Sequence, residues 1–240
     1  MLPPSRGGCA IRTLSSSLHL RLARLSSGSR WQQRHQSDPY VRKAKEMGYR
    51  SRAAFKLLEI DKKFRLLKPG ALAIELGSAP GSWTQILSEK KLHTVAIDCL
   101  PMEMVDGCEF ILGDFACPTI QQKLLHEVFA RKAKGADIIL SDVSPNRSGI
   151  KSLDQARFTG VIEDMLLLSR QCLRPGGALV AKVLQGADLP KITKALREFS
   201  KPTLFKPAAS RKESAEVYMA ITSFDPMRFD GSVWLREGLD

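Results

Sequence analysis

The chain is 240 residues long, enough for one generous domain with short extensions, and its 43% hydrophobic content can furnish a real core. No run approaches about 18 consecutive apolar residues, which excludes an obvious membrane-spanning helix, and the five scattered cysteines (Cys9, Cys99, Cys108, Cys117, Cys172) lack the CxxC pairs of a zinc site or the even count of a disulfide framework. The net charge of +12 is local: residues 1–37 hold six arginines and no acidic residue, residues 42–68 hold ten basic side chains against three acidic ones, and the stretch from Pro69 onward balances to zero.

Taken in order, residues 1–37 are rich in Arg, Ser and Leu. Ile11, Leu14, Leu18 and Leu22 fall near one helical face, and no unbroken apolar stretch marks a secretory signal. This composition reads as a cleaved mitochondrial transit peptide, which assigns the mature protein to the mitochondrial matrix. The competing reading is a disordered basic tail that binds nucleic acid. Residues 38–68 read as two short helices, the second capped by Ser51 and running to about Phe64, with Ala53, Leu57, Ile60 and Phe64 on one face. Lys56 falls at the edge of that face. Lys68-Pro69-Gly70 stops the helix.

From residue 69 to 226 strands and helices alternate. Ala71–Leu76, His93–Asp98, Glu109–Leu112, Asp137–Ser141 and Ala178–Leu184 read as strands. Helices are predicted from about Trp83, over Thr119–Lys132, over a long segment bearing Phe158, Val161, Ile162, Met165, Ser169 and Cys172 on one side, and over Leu189–Phe199. Arg174-Pro175-Gly176-Gly177 separates the long helix from the next strand. Such alternation predicts a mostly parallel sheet covered on both faces. Glu216–Phe224 follows a loop rather than a helix, so it is expected to pair antiparallel with Thr203–Lys206. Residues 227–240 form a tail.

The chemistry lies at strand ends. The turn Gly77-Ser78-Ala79-Pro80-Gly81-Ser82-Trp83 follows the first strand, where small residues admit a ligand close to the backbone. It is neither GxGxxG nor GxxxxGK[ST], which weakens dehydrogenase and NTPase readings. Asp98 ends the second strand 21 residues after Gly77, where a carboxylate can accept from the ribose hydroxyls of an adenosyl group. Asp114, at the end of the third strand, could accept from an adenine amino group or simply form a turn. Asp142 stands at the mouth of a very apolar strand. Lys182 lies within Ala178-Leu179-Val180-Ala181-Lys182-Val183-Leu184, where an unpartnered ammonium is costly; a lysine there beside a carboxylate is an active-site candidate, and the competing reading is an edge-strand lysine that snorkels to water. Glu216 opens the last strand.

Five ordered segments then carry a resemblance: Lys56 within Ser51-Arg52-Ala53-Ala54-Phe55-Lys56-Leu57, the Gly77–Trp83 turn, Ser141-Asp142-Val143-Ser144-Pro145-Asn146, Lys182-Val183-Leu184-Gln185-Gly186, and Glu216-Val217-Tyr218. From about Asp38 to Phe224 the chain resembles FtsJ/RrmJ-type ribosomal RNA ribose 2′-O-methyltransferases, and its leader points to a mitochondrial member. The resemblance implies a Rossmann-like class I methyltransferase fold with a seven-stranded sheet, S-adenosyl-L-methionine as cofactor, and no metal. It implies a catalytic tetrad of Lys56, Asp142, Lys182 and Glu216, and cofactor contacts at Pro80, Gly81, Ser82, Trp83, Asp98, Asp114 and Asp142. It also implies a large-subunit ribosomal RNA partner, within an assembly intermediate, a uridine ribose as target, and a monomer. Ser82 and Ser78 stand where the bacterial pattern has glycine and alanine. The segment from Arg42 to Lys68 would supply phosphate contacts, extended by Arg147 and Arg211-Lys212. The rival readings are an adenosyl-dependent enzyme acting on protein or a small molecule, and a non-catalytic RNA-binding assembly factor.

Overall fold

The computed structural model describes residues 37–225 except 146–147, 187 and 198–199, with the backbone alone for Lys151 and Ala195. The expected transit peptide, the tail after residue 226, Arg147 and Phe199 lie outside the described residues. Helix α1 (Pro39–Glu46) starts at Asp38, whose carboxylate accepts from the Tyr40 N–H at 3.0 Å, and Pro39 suits the first turn because its missing N–H has no helical partner there. Helix α2 (Ala53–Phe64) follows. Ser51 does not cap it as expected. The residue at the cap position is Arg52, in helical geometry and without a side-chain cap bond. The Ser51 hydroxyl instead accepts from the Ala53 N–H at 3.2 Å and lies 2.8 Å from the Ser82 hydroxyl.

The centre is a seven-stranded sheet in the order β3-β2-β1-β4-β5-β7-β6. Strands β1 (Leu72–Leu76), β2 (His93–Asp98), β3 (Cys108–Leu112), β4 (Ala136–Ser141) and β5 (Leu173–Leu184) are parallel, while β7 (Glu216–Phe224) runs antiparallel between β5 and β6 (Thr203–Phe205). The expected β6–β7 pairing is present, and β7 also joins β5. Strand β5 starts earlier than the sequence reading placed it. Leu173 already pairs with Ala136, and the register then jumps to Ile138 opposite Ala178, so Arg174–Gly177 is absorbed as a bulge rather than a break.

Both faces are covered, which explains the unbroken apolar strands. On one face α2 and α3 (Ser82–Glu89) bury Leu57, Ile60, Trp83 and Ile86 against Ala73, Leu140 and Val180. On the other, α4 (Pro118–Arg131), α5 (Lys151–Cys172) and α6 (Asp188–Leu196) bury Leu124, Met165 and Ile192 against the alternate residues Ile74, Ile139 and Leu179. Removing a side chain such as Leu57, fully buried, would leave a cavity costing ~2–5 kcal/mol. No helix among the described residues is long and apolar enough to cross a membrane.

Candidate active site

The strand order reverses between β1 and β4, so the chain leaving each of these neighbours turns away from the other and opens a crevice beyond their carboxyl ends. Gly77 sits there at φ +77°, and a Cβ on it would lie 2.9 Å from the Val143 Cα and N. This position needs glycine, for conformation and for close approach. The Gly77 and Ser78 N–H groups donate to Ile97 O at 2.9 and 3.2 Å, and the Asp142 N–H donates to Leu76 O at 3.2 Å. The turns after β1, β2 and β4 are thereby locked to one another.

Asp98 is held by two backbone donors: its Oδ2 accepts from the Ala79 N–H and its Oδ1 from the Leu100 N–H, both at 2.8 Å. The Gly113 N–H donates to Asp98 O at 2.8 Å and so brings the Asp114 turn alongside, with Asp114 Oδ1 accepting from the Ala116 N–H at 3.0 Å. The Cys99 thiol is pushed above its ordinary pKa by burial and by the charges of Asp114 and Asp98, which marks the two carboxylates as near neighbours.

The tetrad residues share the sheet face covered by α2 and α3. Directly opposed residues of an antiparallel pair point the same way, and so do residues two apart on a strand. Lys182 opposes Tyr218 across β5 and β7, and Leu184 opposes Glu216. Lys182 and Glu216 therefore lie on one face with Tyr218 between them. The Lys182 ammonium, on a residue only 8% exposed, donates to Asp142 O at 2.7 Å and lies 3.2 Å from Asp142 Oδ1. The partner required for a buried lysine is thus supplied. From above, Lys56 on α2 pairs with Glu216 Oε1 at 2.8 Å. Burial raises the Glu216 carboxyl, but the charge of Lys56 and its hydrogen bond outweigh this, so the group lies below its ordinary value.

Tyr218 joins these two pairs, a role that sequence reasoning missed. Its hydroxyl donates to Asp142 Oδ1 at 2.6 Å, and its ring stands 5.9 Å from the Lys56 ammonium and 5.8 Å from the Trp83 ring. Burial first, then the charge of Asp142, holds its hydroxyl well above its usual pKa, so it stays a donor. Glu75 was also missed. It is 1% exposed on the same face of β1, accepts from Thr84 Oγ1 at 2.7 Å, and is pushed by burial up to about 8.

The other expected cofactor contacts divide. Pro80 and Gly81 form the turn itself. Ser82 and Trp83 start α3, but their side chains engage α2 and the segment before it: the Trp83 indole N–H donates to Ala53 O at 2.7 Å, and the Ser82 hydroxyl meets Ser51. The crevice suits an adenosyl sulfonium in its chemistry. Asp98 and Asp114 are acceptors for hydroxyl and amino groups, Asp142 is a third carboxylate at the end of β4, and the buried Ser78 hydroxyl has no partner among the described residues. Asp98 would hold the ribose and Asp114 the base.

A family model described as FtsJ-like methyltransferase matches residues 49–224. The chain belongs to this family. Its relatives include two proteins named ribosomal RNA large subunit methyltransferase E. That of Marinobacter nauticus is 42% identical over 208 residues, spanning 85% of this chain and 99% of the relative. That of Legionella pneumophila is 40% identical over 208 residues, spanning 85% and 100%. Among solved structures, a Plasmodium falciparum chain described as a ribosomal RNA methyltransferase superposes with a TM-score of 0.65 at 26% identity, covering 73% of this chain and 98% of that one. The FtsJ-like match ends at the last residue of β7, so it includes all four tetrad positions. The protein is a methyltransferase of Rossmann-like fold with S-adenosyl-L-methionine as its cofactor.

Proposed function

We propose that this FtsJ-like methyltransferase methylates a ribose 2′-oxygen, on a uridine of large-subunit ribosomal RNA, in mitochondria and during ribosome assembly. The observation that carries the chemical part is the Lys182–Asp142 pair at the crevice mouth, joined through Tyr218 to Lys56–Glu216. A sugar hydroxyl is a poor nucleophile until its proton is removed or its developing charge is stabilised. Lys182 serves by one of these two routes, as general base or as electrostatic stabiliser of the forming alkoxide. Asp142 orients the ammonium, and Lys56 with Glu216 positions the hydroxyl. The bound cofactor supplies an electrophilic methyl group, and its leaving group is a neutral thioether, so the step calls for no metal.

The names of the relatives support ribosomal RNA as substrate. So does the basic segment from Arg42 to Lys68, where Arg42, Lys43, Lys45, Lys62 and Lys63 are exposed, as is Lys212. Such cations neutralise phosphates with little regard to sequence. The arginine-rich, acid-free first 37 residues support a mitochondrial address.

The test is transfer of tritiated methyl from the donor to large-subunit ribosomal RNA, followed by nucleotide mapping. The intact protein should label one ribose. Lys182→Ala should still bind S-adenosylhomocysteine yet lose transfer by ~10²-fold or more. Full turnover in that variant, or labelling of protein instead of RNA, would overturn the reading. Deleting residues 1–37 from a fluorescent fusion should abolish mitochondrial targeting, and unchanged import would remove the address.

A further inference from the structure

The five residues Gly48-Tyr49-Arg50-Ser51-Arg52, between α1 and α2, belong to the basic segment that the sequence assigns to RNA phosphates. Both arginines are instead turned inward. Arg52 pairs with Asp38 and donates to Ala209 O. The Arg50 side chain is 20% exposed and spans two loops. Its Nη1 donates to Pro80 O at 3.1 Å and Glu103 O at 2.9 Å, its Nη2 donates to Met104 O at 3.0 Å, and the Glu103 carboxylate lies 3.7 Å away. The guanidinium rests directly on Gly81, where an added Cβ would come within 2.4 Å of Nη1 and 3.3 Å of Met102 Sδ.

Two further links fix the same five residues to α3. The Arg50 N–H donates to Gln85 Oε1 at 2.9 Å while the Gln85 amide donates to Gly48 O at 3.0 Å. Next to them the Ser51 and Ser82 hydroxyls meet at 2.8 Å. This last bond is available because Ser82 is not glycine.

The loops bridged by Arg50 are the turn after β1 and the chain after β2. They are the loops whose N–H groups, at Ala79 and Leu100, grip the two carboxylate oxygens of Asp98. The chain after β2 exposes Leu100 (64%) and Met104 (75%). It has little burial to hold it, so fixed donors matter there. An arginine fork suits the task, because its planar donors reach several carbonyl oxygens at once whereas a lysine ammonium is a single point charge.

We propose that Arg50 is a positioning residue for the cofactor, holding together the two loops that flank Asp98, and not a phosphate ligand for RNA. The inference rests on the reading of this crevice as the cofactor site. The consequence separates the two substrates. A phosphate ligand would act on RNA affinity, whereas a clasp on the cofactor loops acts on donor affinity and leaves RNA affinity alone.

The experiment uses the full chain and compares Arg50→Ala, Arg50→Lys, Lys45→Ala and Asp98→Ala. It measures S-adenosylhomocysteine binding by calorimetry, KM for each substrate with kcat, and RNA binding across salt concentration. Arg50→Ala should weaken S-adenosylhomocysteine about tenfold or more and raise the donor KM similarly, with kcat at saturating donor largely kept. RNA affinity and its salt dependence should match the parent protein. Lys45→Ala should show the reverse, with a salt slope smaller by about one. Arg50→Lys retains the charge and serves as the milder variant if the alanine variant folds poorly. It should keep the donor defect, because charge alone cannot bridge the loops. Donor affinity unchanged in both Arg50 variants overturns the proposal, as does a loss confined to RNA affinity. Asp98→Ala is the control for the underlying reading. If it binds S-adenosylhomocysteine as tightly as the parent, the crevice assignment fails and the proposal falls with it. If it fails to bind while the Arg50 variants bind normally, only the proposal falls.

Discussion

Replacing Glu75 with glutamine should remove a pH dependence from the stability of the fold. Glu75 is 1% exposed, and burial, opposed by the Thr84 hydrogen bond and reinforced by Asp142 and Asp98, raises its carboxyl from 4.5 to about 8. Between those values the folded protein holds a proton that the unfolded chain has released. The stabilisation is therefore complete below pH 4.5 and is lost progressively as the pH climbs through the folded value. The interval is about three and a half pH units, and at ~1.4 kcal/mol per unit the loss approaches about 5 kcal/mol. Glu75→Gln keeps an acceptor for Thr84 and cannot ionise, so it escapes this loss. Denaturant unfolding of parent and variant, run in parallel between about pH 5 and pH 8, gives the difference directly. The variant should gain on the parent by up to ~1.4 kcal/mol for each unit of rising pH. A difference that stayed flat across the range would refute the reasoning, because it would mean that the folded carboxyl titrates where the unfolded one does.

Three other outcomes follow from the geometry. Gly77→Ala must place a Cβ 2.9 Å from Val143 backbone atoms at a positive φ, and should cost ~1–3 kcal/mol together with a loss of cofactor affinity, read by thermal melts with and without S-adenosylhomocysteine; a folded variant with parental affinity would contradict the close packing of these turns. Tyr218→Phe takes a hydrogen bond from the Asp142 carboxylate while Lys182 still holds it, so a loss of ~1–3 kcal/mol is expected in denaturant unfolding, and a neutral result would show that the hydroxyl is dispensable. Because Lys56 and its hydrogen bond hold Glu216 below its ordinary value, that carboxylate stabilises the fold above the usual glutamate range and ceases to do so as the pH falls through its folded value. Lys56→Met should therefore move the acid-unfolding midpoint to higher pH, and an unmoved midpoint would count against the pair.

Much of this site was legible in the sequence because its polar residues violate their surroundings. Lys182 interrupts an apolar strand, Asp98 and Asp142 sit at strand ends, and a small-residue turn follows the first strand. Those features follow from local pattern and from the rule that buried charge needs a partner. The remainder depends on pairings between distant segments, which local pattern does not encode. Tyr218 reads as an ordinary aromatic strand residue until β7 is laid beside β5 and opposes it to Lys182. Ser51 reads as a helix cap until Ser82 is found against it. Arg50 and Arg52 look like the exposed cations near them in the chain, and only the positions of the Pro80, Met104 and Ala209 carbonyls turn them inward. The Pro-Gly-Gly stretch reads as a break because its bulge is tolerated only where Leu173 finds Ala136 on the adjoining strand.

The ion pair between α2 and the start of β7 carries a consequence for how the protein becomes active as it is made. Lys56 emerges early in translation and Glu216 near the end, with every other strand of the sheet made in between. A chain lacking β7 has neither Glu216 nor Tyr218, so the Lys56 ion pair and the Tyr218–Asp142 hydrogen bond form only once the last strand is in place. This ion pair therefore arrives last, and only in a chain whose two distant arms have met.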